Sequence, residues 1–353
     1  MLITILSFIL TLGILISVHE WGHFIVARKL GVKVLRFSLG FGKPIWRHQG
    51  KSGTEYCVSI LPLGGYVKML DEREGEVAAS ELAFAFNRQS VWKRIAIVLA
   101  GPFANFLFAI LAFSCVYHIG IFDSSKVPAI IGGIEADTPA AHAHLQVGDH
   151  ILAVNQAPVH NWPELVKVIS AHPDEKVTLT LERQKQNMEL EITPGKKLHH
   201  GQEIGFIGVA LDKELLKPQS VPLYEAFING VHDTWFYSLL TFKSIFEMLL
   251  GKLGLEHLSG PISIAVYAGD TAQMGLVYFL KFLALLSISL GVINLLPIPM
   301  LDGGHLLYYV LEAIMRKPLT LKMQQIGLSI GLVLLFSLMV LAFYNDVIQL
   351  GSR

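Results

Sequence analysis

Charged residues are scarce in this chain of 353 residues, at 16% of the total. The 28 Lys and Arg balance the 28 Asp and Glu, so the sequence offers no broad basic surface for a nucleic acid. The two cysteines, Cys57 and Cys115, are too few for a disulfide scaffold and lack metal-ligand spacing, so both are predicted to be packing residues. Hydrophobic residues make up 52% of the chain, and the mean hydropathy is +0.51, which argues against a cytosolic enzyme.

Four uncharged stretches are long enough to cross a bilayer, which requires about 20 apolar residues in a helix. The first covers residues 2–18 and continues past a charged cluster to Val26. It has no basic start and no small-residue cleavage site, so it is predicted to be a retained span rather than a signal peptide. The other three spans are predicted at residues 95–121, 282–301 and 326–344. The sequence therefore indicates a polytopic α-helical membrane protein.

Basic residues indicate how these spans are oriented. Between Arg28 and Arg94 there are twelve Lys or Arg residues and six acidic ones. Three more basic residues lie in the short connection between spans three and four: Arg316, Lys317 and Lys322. Because basic loops stay in the cytoplasm, both connections are predicted to be cytoplasmic. The two termini and the long segment 123–281 are then predicted to lie on the outer side.

The long outer segment begins with a region that is polar enough to be a separate domain, predicted at residues 122–218. Residues 176–182 alternate in polarity as a strand does, and Gly, Pro and Asp punctuate the region. Residues 145–155 read L-x-x-G-D-x-I-x-x-V-N, which resembles PDZ domains, and a helix is predicted from Trp162 to Ser170. One inserted, extracytoplasmic, β-dominated PDZ domain is therefore predicted.

The remaining segments complete the predicted organisation. Within residues 219–260, apolar residues recur at helical spacing with interspersed charges, which predicts an amphipathic helix on the membrane surface. Residues 1–121, with spans one and two, and residues 261–353, with spans three and four, are predicted to form the membrane core.

The first span contains the motif H-E-x-x-H at residues 19–23. On a helix, His19 and His23 share one face, so their ring nitrogens can converge on one metal ion, with Glu20 beside it as general base. Imidazoles and a carboxylate at membrane depth are costly unless they are paired, metal-bound or functional. The motif therefore predicts a catalytic zinc site.

A catalytic zinc usually takes three protein ligands and keeps a fourth position for water. Outside span one, Asp302 is the acidic residue that borders an apolar span on its membrane-facing side. Spans one and three run in the same direction, so both half-sites reach the same depth, near the cytoplasmic face. The prolines and glycines around Asp302 also predict a broken helix, which is tolerated there only where it is buried in protein or lines a cavity. Asp302 is therefore predicted to be the third ligand.

These residues predict the hydrolysis of an amide bond. Zinc would lower the pKa of a bound water and polarise the carbonyl under attack. Glu20 would take the proton of that water and return it to the leaving amine. Asn294, an amide in an apolar span, either binds the exposed backbone of a substrate or forms an interhelical hydrogen bond.

With these motifs, the chain resembles the bacterial intramembrane site-2 zinc metalloproteases of the sigma-E-regulating branch. The resemblance rests on H-E-x-G-H at His19–His23 and on N-x-x-P-x-P-x-L-D-G-G at Asn294–Gly304, with further similar runs at 64–69, 101–105 and 258–262. It implies a metalloendopeptidase of the bacterial inner membrane with His19, His23 and Asp302 as zinc ligands and Glu20 as the base. It also implies that Asn294 and Pro297 lie beside bound substrate.

The resemblance further implies a re-entrant β-hairpin within residues 34–69, formed by residues 34–42 and 56–69, whose edge could pair with an unwound substrate helix. An ordinary cytoplasmic hairpin is the alternative. The substrates implied are single-span membrane proteins, such as an anti-sigma factor or remnant signal peptides. The best-known relatives carry two PDZ domains and this chain has one, so the substrate stays open; in the family this region filters substrates by size.

Two other classes of function fit parts of the sequence. A metal transporter can also place H-E-x-x-H on a membrane helix, but it usually shows inverted repeats and ligands near the midplane of the bilayer. A catalytically silent PDZ-bearing scaffold would be expected to lack Glu20 or one of the ligands. The sequence shows no inverted repeats, and its two half-sites lie near one face of the membrane. It also keeps Glu20 and all three ligands, so it favours the protease.

Overall fold

The computed structural model describes residues 2–120, 127–199, 202–212, 215, 220–254, 256, 258–317 and 319–351. These residues form two compact units. The first combines Met1–His118 with Val221–Arg353, and the second is Ile119–Ser220. Residue 121, the predicted end of span two, lies outside the described residues, as do residues 122 and 218, the predicted ends of the PDZ domain.

The first unit contains four helices that are long and apolar enough to cross a membrane, as predicted. They are α1 (Leu2–Lys29), α2 (Val91–Ile119), α7 (Leu276–Leu295) and residues Lys322–Ile348 of α9 (Leu321–Gly351). The outer faces of these helices carry exposed apolar side chains, as lipid contact requires. Cys57 is buried as predicted, but the prediction for Cys115 is wrong, because this side chain is exposed on α2.

The predicted bounds of the third span, 282–301, are also wrong. The helix begins six residues earlier, after Gly275, which has a φ of 118°, and it ends at Leu295. Leu296 adopts an extended conformation with ψ of 144°. Pro297 and Pro299 explain this end, because proline disfavours a helical conformation in the preceding residue and cannot donate a backbone hydrogen bond. Residues 296–301 then connect α7 to α8 (Asp302–Met315) through turns, with backbone hydrogen bonds from the N–H of Ile298 to Leu296 and from the N–H of Leu301 to Ile298.

Among the described residues, two more α-helices of this unit lie between α2 and α7 along the chain. The segment predicted to be amphipathic forms α5 (Leu223–Leu249). It contacts α2 closely at Gly230, where a methyl group would lie 2.6 Å from Oγ of Ser114. The second helix, α6 (Pro261–Met274), was not predicted separately.

The start of α6 is capped by a buried side chain of α9. The carboxylate of Asp346 accepts hydrogen bonds from the backbone N–H of Gly260 at 2.9 Å and of Ile262 at 2.8 Å. The hydroxyl of Ser263 donates to it as well. The first N–H groups of a helix lack partners within the helix. The carboxylate of Asp346 therefore supplies hydrogen-bond acceptors that the residues next to α6 do not.

A long hairpin, β1 (Val34–Gln49) and β2 (Glu55–Met69), lies between α1 and α2. It is longer than predicted, and it is curled. Residues 37–39 have partners on both sides, 65–67 on one and 56–58 on the other. Gly40 and Gly42, with φ of 92° and 89°, allow the bend at this point. Within the described chain no further strand pairs with the outer edge of residues 65–67.

The second unit is a small β-rich domain with its own buried core. Its sheets have the strand orders β5-β4-β6-β7, β10-β3 and β8-β9. The strands are β3 (Ile131–Ile134), β4 (His150–Val154), β5 (Ala157–Pro158), β6 (Val177–Arg183), β7 (Gln186–Ile192), β8 (Gly195–His199), β9 (Gln202–Phe206) and β10 (Val209–Leu211). The helices are α3 (Pro139–His142) and α4 (Trp162–Ser170). The side chain of Asn161 caps α4, which has the predicted bounds, by accepting a hydrogen bond from the N–H of Glu164 at 3.0 Å.

Candidate metal centre and active site

Helix α1 is continuous through the motif at residues 19–23, so His19 and His23 lie one turn apart on the same face. Their Nε2 atoms are 3.3 Å from each other, and their rings meet edge to face with centroids 4.8 Å apart. Both imidazoles therefore direct the same ring nitrogen at one point.

Asp302, the first residue of α8, meets these imidazoles from the other half of the chain. Its Oδ2 atom is 3.2 Å from Nε2 of His19 and 3.3 Å from Nε2 of His23. Ligand atoms bound at about 2.0–2.1 Å to a tetrahedral zinc are about 3.3–3.4 Å apart. The three atoms thus form a triangle of the size that zinc requires, and this is the one such group of three found among the described residues.

Two further observations fit a metal ion at this triangle. The Oδ2 atom of Asp302 is buried and has no hydrogen bond within the described part of the chain. Next to it, Gly101 of α2 leaves space for the imidazoles, because a methyl group there would lie 2.3 Å from Nε2 of His23 and 2.8 Å from Cε1 of His19. A buried carboxylate oxygen without a hydrogen bond is costly, and a cation bound between it and the two imidazoles would remove that cost.

The ring of His23 is oriented from α2. Its Nδ1 atom is 2.8 Å from the carbonyl oxygen of Ile97. A carbonyl can only accept a hydrogen bond, so Nδ1 carries the proton and the lone pair of Nε2 remains free for a metal. His19 also contacts α2, where its Nδ1 atom is 3.1 Å from Nδ2 of the Asn105 amide.

Glu20 lies between the histidines and the edge of the hairpin. A methyl group on Gly65 would lie 3.0 Å from Cγ of Glu20, so residue 65 passes directly beside the glutamate. The carboxylate also faces the backbone of Val67. The unpaired edge of residues 65–67 therefore runs past the predicted base.

The two predicted substrate-binding residues differ in their surroundings. Asn294, on the last turn of α7, is buried and lines the same cavity as His19 and Glu20. Pro297 is exposed and does not line that cavity. The structure thus brings Asn294 to the site and leaves Pro297 in the connection between α7 and α8.

The site opens into a cavity of about 980 Å³ with a partly polar wall. In that wall Arg94 of α2 makes two hydrogen bonds to Glu312 of α8, at 3.1 and 2.6 Å, and lies over the ring of Tyr309. This ion pair ties α8, which carries Asp302, to α2, which carries Gly101. Other polar residues in the lining are Asp71, Arg73, Glu74, Asn87, His305, Tyr308 and Gln324.

The contribution of α2 to the site is not predicted by any sequence motif. Gly101, Ile97 and Asn105 hold the two imidazoles in place, but a glycine, a backbone carbonyl and a lone amide give no motif of metal-ligand type. The available signal was the similarity of residues 101–105 to the family, together with an amide inside an apolar span.

Comparison with known proteins agrees with this geometry. Residues 7–338 match the model of peptidase family M50. The chain therefore belongs to peptidase family M50. It is a membrane metalloendopeptidase.

Individual relatives indicate the branch of the family to which this chain is similar. A Vibrio cholerae protein named as a zinc metalloprotease is 38% identical over 98% of each chain. The Escherichia coli K12 protein named regulator of sigma-E protease RseP is 34% identical over 98% of each chain. The chain is thus an RseP-like site-2 protease. A solved PDZ domain of an SdrC-like protein from Listeria monocytogenes is 19% identical and covers 27% of this chain and 97% of its own, with a TM-score of 0.22.

The alignment with the Vibrio relative runs over 445 positions, although this chain has 353 residues. The relative therefore carries residues that this chain lacks, in a number comparable to the size of the second unit.

Proposed function

We propose that this protein is a zinc-dependent intramembrane endopeptidase that cleaves single-span membrane proteins within or near their transmembrane segments. The observation that carries this proposal is the triangle formed by His19, His23 and Asp302, which lies beside Glu20 and an unpaired strand edge. A transporter or a silent scaffold has no need of a carboxylate base next to such a triangle.

In this proposal His19, His23 and Asp302 hold the zinc ion. Zinc bound there would polarise the carbonyl of the scissile bond and lower the pKa of a coordinated water. The carboxylate of Glu20 would take a proton from the attacking water as the water oxygen bonds to the carbonyl carbon, and would give that proton to the amine nitrogen as the C–N bond breaks. The Arg94–Glu312 pair holds α8 in place so that Asp302 stays aligned with the two histidines.

The substrate segment binds in extended form along residues 65–67. A transmembrane helix protects its own peptide bonds with hydrogen bonds, so it must unwind before it can be cut. The free strand edge of the hairpin offers replacement hydrogen bonds, and the amide of Asn294 offers another. Pro297 prevents α7 from continuing and lies beside the bound substrate. The hairpin is then re-entrant at membrane depth.

The proposed location is the bacterial inner membrane, with the termini and the PDZ domain on the outer side and the active site near the cytoplasm. The excess of basic residues in the predicted cytoplasmic connections supports this orientation. Helix α5 lies on the membrane surface, as its many exposed large apolar side chains support; these include Phe227, Trp235, Phe236, Leu239, Phe242 and Phe246.

The proposed substrates are an anti-sigma factor or remnant signal peptides. The first follows from the E. coli relative, which is named a regulator of sigma-E protease. The PDZ domain acts as a size filter, so that a substrate is cut after its outer domain has been trimmed.

The test is cleavage of a tagged single-span substrate with a short outer domain, in membranes or detergent, with the zinc content measured on each variant. We compare the wild type with Glu20→Gln, and with Glu247→Gln on α5 as the matched control. The wild type and the control should cut, while Glu20→Gln should keep its zinc and lose cleavage. Cleavage by purified Glu20→Gln would contradict the mechanism, and a wild type that transports zinc without cutting any trimmed substrate would favour the transporter.

A further inference from the structure

Asn105 is the most deeply buried amide near the metal centre. Its side chain is fully buried, and its Nδ2 atom is 3.1 Å from Nδ1 of His19. Its Oδ1 atom is also buried, and within the described chain it has no hydrogen-bond partner. The oxygen and nitrogen of a carboxamide are nearly equivalent in shape, so their assignment has to follow from the hydrogen bonds.

The two orientations of this amide require different forms of His19. If Nδ2 faces the ring, Nδ1 accepts a hydrogen bond and the ring proton of a neutral imidazole is on Nε2. In that form Nε2 has no lone pair for a metal ion. If Oδ1 faces the ring, Nδ1 is the donor and Nε2 is free. Only the second form lets His19 complete the triangle with His23 and Asp302.

We propose that Asn105 is a positioning residue whose side-chain oxygen accepts a hydrogen bond from Nδ1 of His19 and thereby fixes the metal-binding form of that histidine. This inference rests on the proposed zinc centre. Asn105 then does for His19 what the carbonyl of Ile97 does for His23. Such partners of metal-bound histidines typically contribute 10- to 100-fold to metal affinity.

The position of Asn105 is itself fixed from a third helix. The hydroxyl of Ser287, on α7, donates to the backbone carbonyl of Asn105 at 2.8 Å. This bond involves only the backbone of residue 105, so it survives a change of the side chain. A substitution at 105 can therefore remove the acceptor for His19 and leave the contact between α2 and α7 in place.

The test measures Co²⁺ and Zn²⁺ affinity of the purified full-length protein in detergent, by competition with a chromophoric chelator, together with the visible absorption of the Co²⁺ form. Asn105→Leu removes the acceptor at similar volume, whereas Asn105→Asp keeps an acceptor oxygen. Asn345→Leu is the matched control, because Asn345 is another buried amide of the membrane unit, bonded to the carbonyl of Leu258 and absent from the cavity lining. His19→Ala reports on the metal centre itself.

We expect Asn105→Leu to bind both metals 10- to 100-fold more weakly and to shift the Co²⁺ bands. Asn105→Asp should stay within about threefold of the wild type, and Asn345→Leu should match the wild type. Unchanged affinity and spectrum in Asn105→Leu, with binding lost in His19→Ala, would overturn the role of Asn105 alone. A wild type that binds neither metal, or an unaffected His19→Ala, would instead overturn the proposed centre.

A failure of Asn105→Leu to fold does not leave the question open. Asn105→Ala also removes the acceptor and keeps the backbone bond to Ser287. If Asn105→Ala binds Co²⁺ as tightly as Asn105→Asp does, the inference is wrong; if only Asn105→Asp retains tight binding, it is supported by rescue with an acceptor of the same size.

Discussion

Asp302 in the membrane unit and Asp149 in the β-rich unit are both carboxylates with little exposure, but their partners differ. Both carboxylate oxygens of Asp149 accept hydrogen bonds from Arg183 at 2.7 Å, and Oδ2 also accepts the N–H of Gln146 at 2.8 Å. These hydrogen bonds raise the pKa of the Arg183 guanidinium. In Asp302, Oδ2 faces two imidazole nitrogens and has no hydrogen bond within the described residues.

This difference in hydrogen bonding distinguishes a carboxylate with a structural role from one that is proposed to bind a metal ion. Asp149 is satisfied by its own chain and holds the turn before β4 in place. In the proposed centre, Oδ2 of Asp302 gains its partner when a metal ion binds. Burial alone would not distinguish these two residues, whereas the state of their hydrogen bonds does.

The largest effect is expected at Asp302. In Asp302→Asn an amide replaces an anionic ligand, so zinc affinity should fall by more than about 100-fold and cleavage should be lost. Without metal, however, the variant should unfold at about the same temperature as the metal-free wild type, because Oδ2 of Asp302 has no hydrogen bond within the described residues that the substitution could remove. Zinc titration and thermal unfolding in the presence of a chelator test both statements. A large loss of stability in the metal-free variant would indicate that Asp302 has a structural role, as Asp149 has.

The next effect concerns Asp149. Asp149→Asn breaks a buried ion pair and should destabilise the β-rich unit by about 2–3 kcal/mol. Hydrogen exchange of β4 and β6 in the full-length protein would show the loss as faster exchange, while zinc affinity should stay unchanged. The double variant Asp149→Asn with Arg183→Met serves as the control, because removing both charges should recover part of the stability. Reduced zinc binding in Asp149→Asn would contradict a purely structural role.

The smallest effect is expected at Gly101, where the substitution changes only the volume of the side chain. Gly101→Ala places a methyl group against both imidazoles and should weaken zinc binding about tenfold, on the order of 1.4 kcal/mol. Gly13→Ala on α1 is the matched control, since a methyl group there meets no atom within 4 Å. Zinc affinities of the two variants should therefore differ, and equal affinities would show that the imidazoles can move away.

Much of the membrane unit could be predicted because its signals are local. The uncharged stretches predicted the four membrane helices, and the spacing of His19 and His23 predicted that both lie on one face of α1. Asp302 followed from its position at the end of a span and from Pro297 and Pro299, which end the helix before it.

The unpredicted features depend on contacts between distant residues. Asn105 is 86 positions from His19, and no pattern within α2 shows which side chain it meets. The curled hairpin depends on residues 37–39 pairing on both sides, which period-two alternation cannot indicate. Cys115 was assigned to the core because cysteine is usually buried, but in a membrane helix an apolar side chain is equally suited to the outer face.

The cap on α6 has a consequence for biosynthesis. Gly260 and Asp346 are 86 positions apart, and Asp346 lies near the end of the last helix. While the chain emerges from the ribosome, the N–H groups at the start of α6 therefore lack this acceptor until 86 further residues have been made. Assembly of this part of the membrane core is thus completed after translation of α9, and a nascent chain that stops before residue 346 has α6 without its cap.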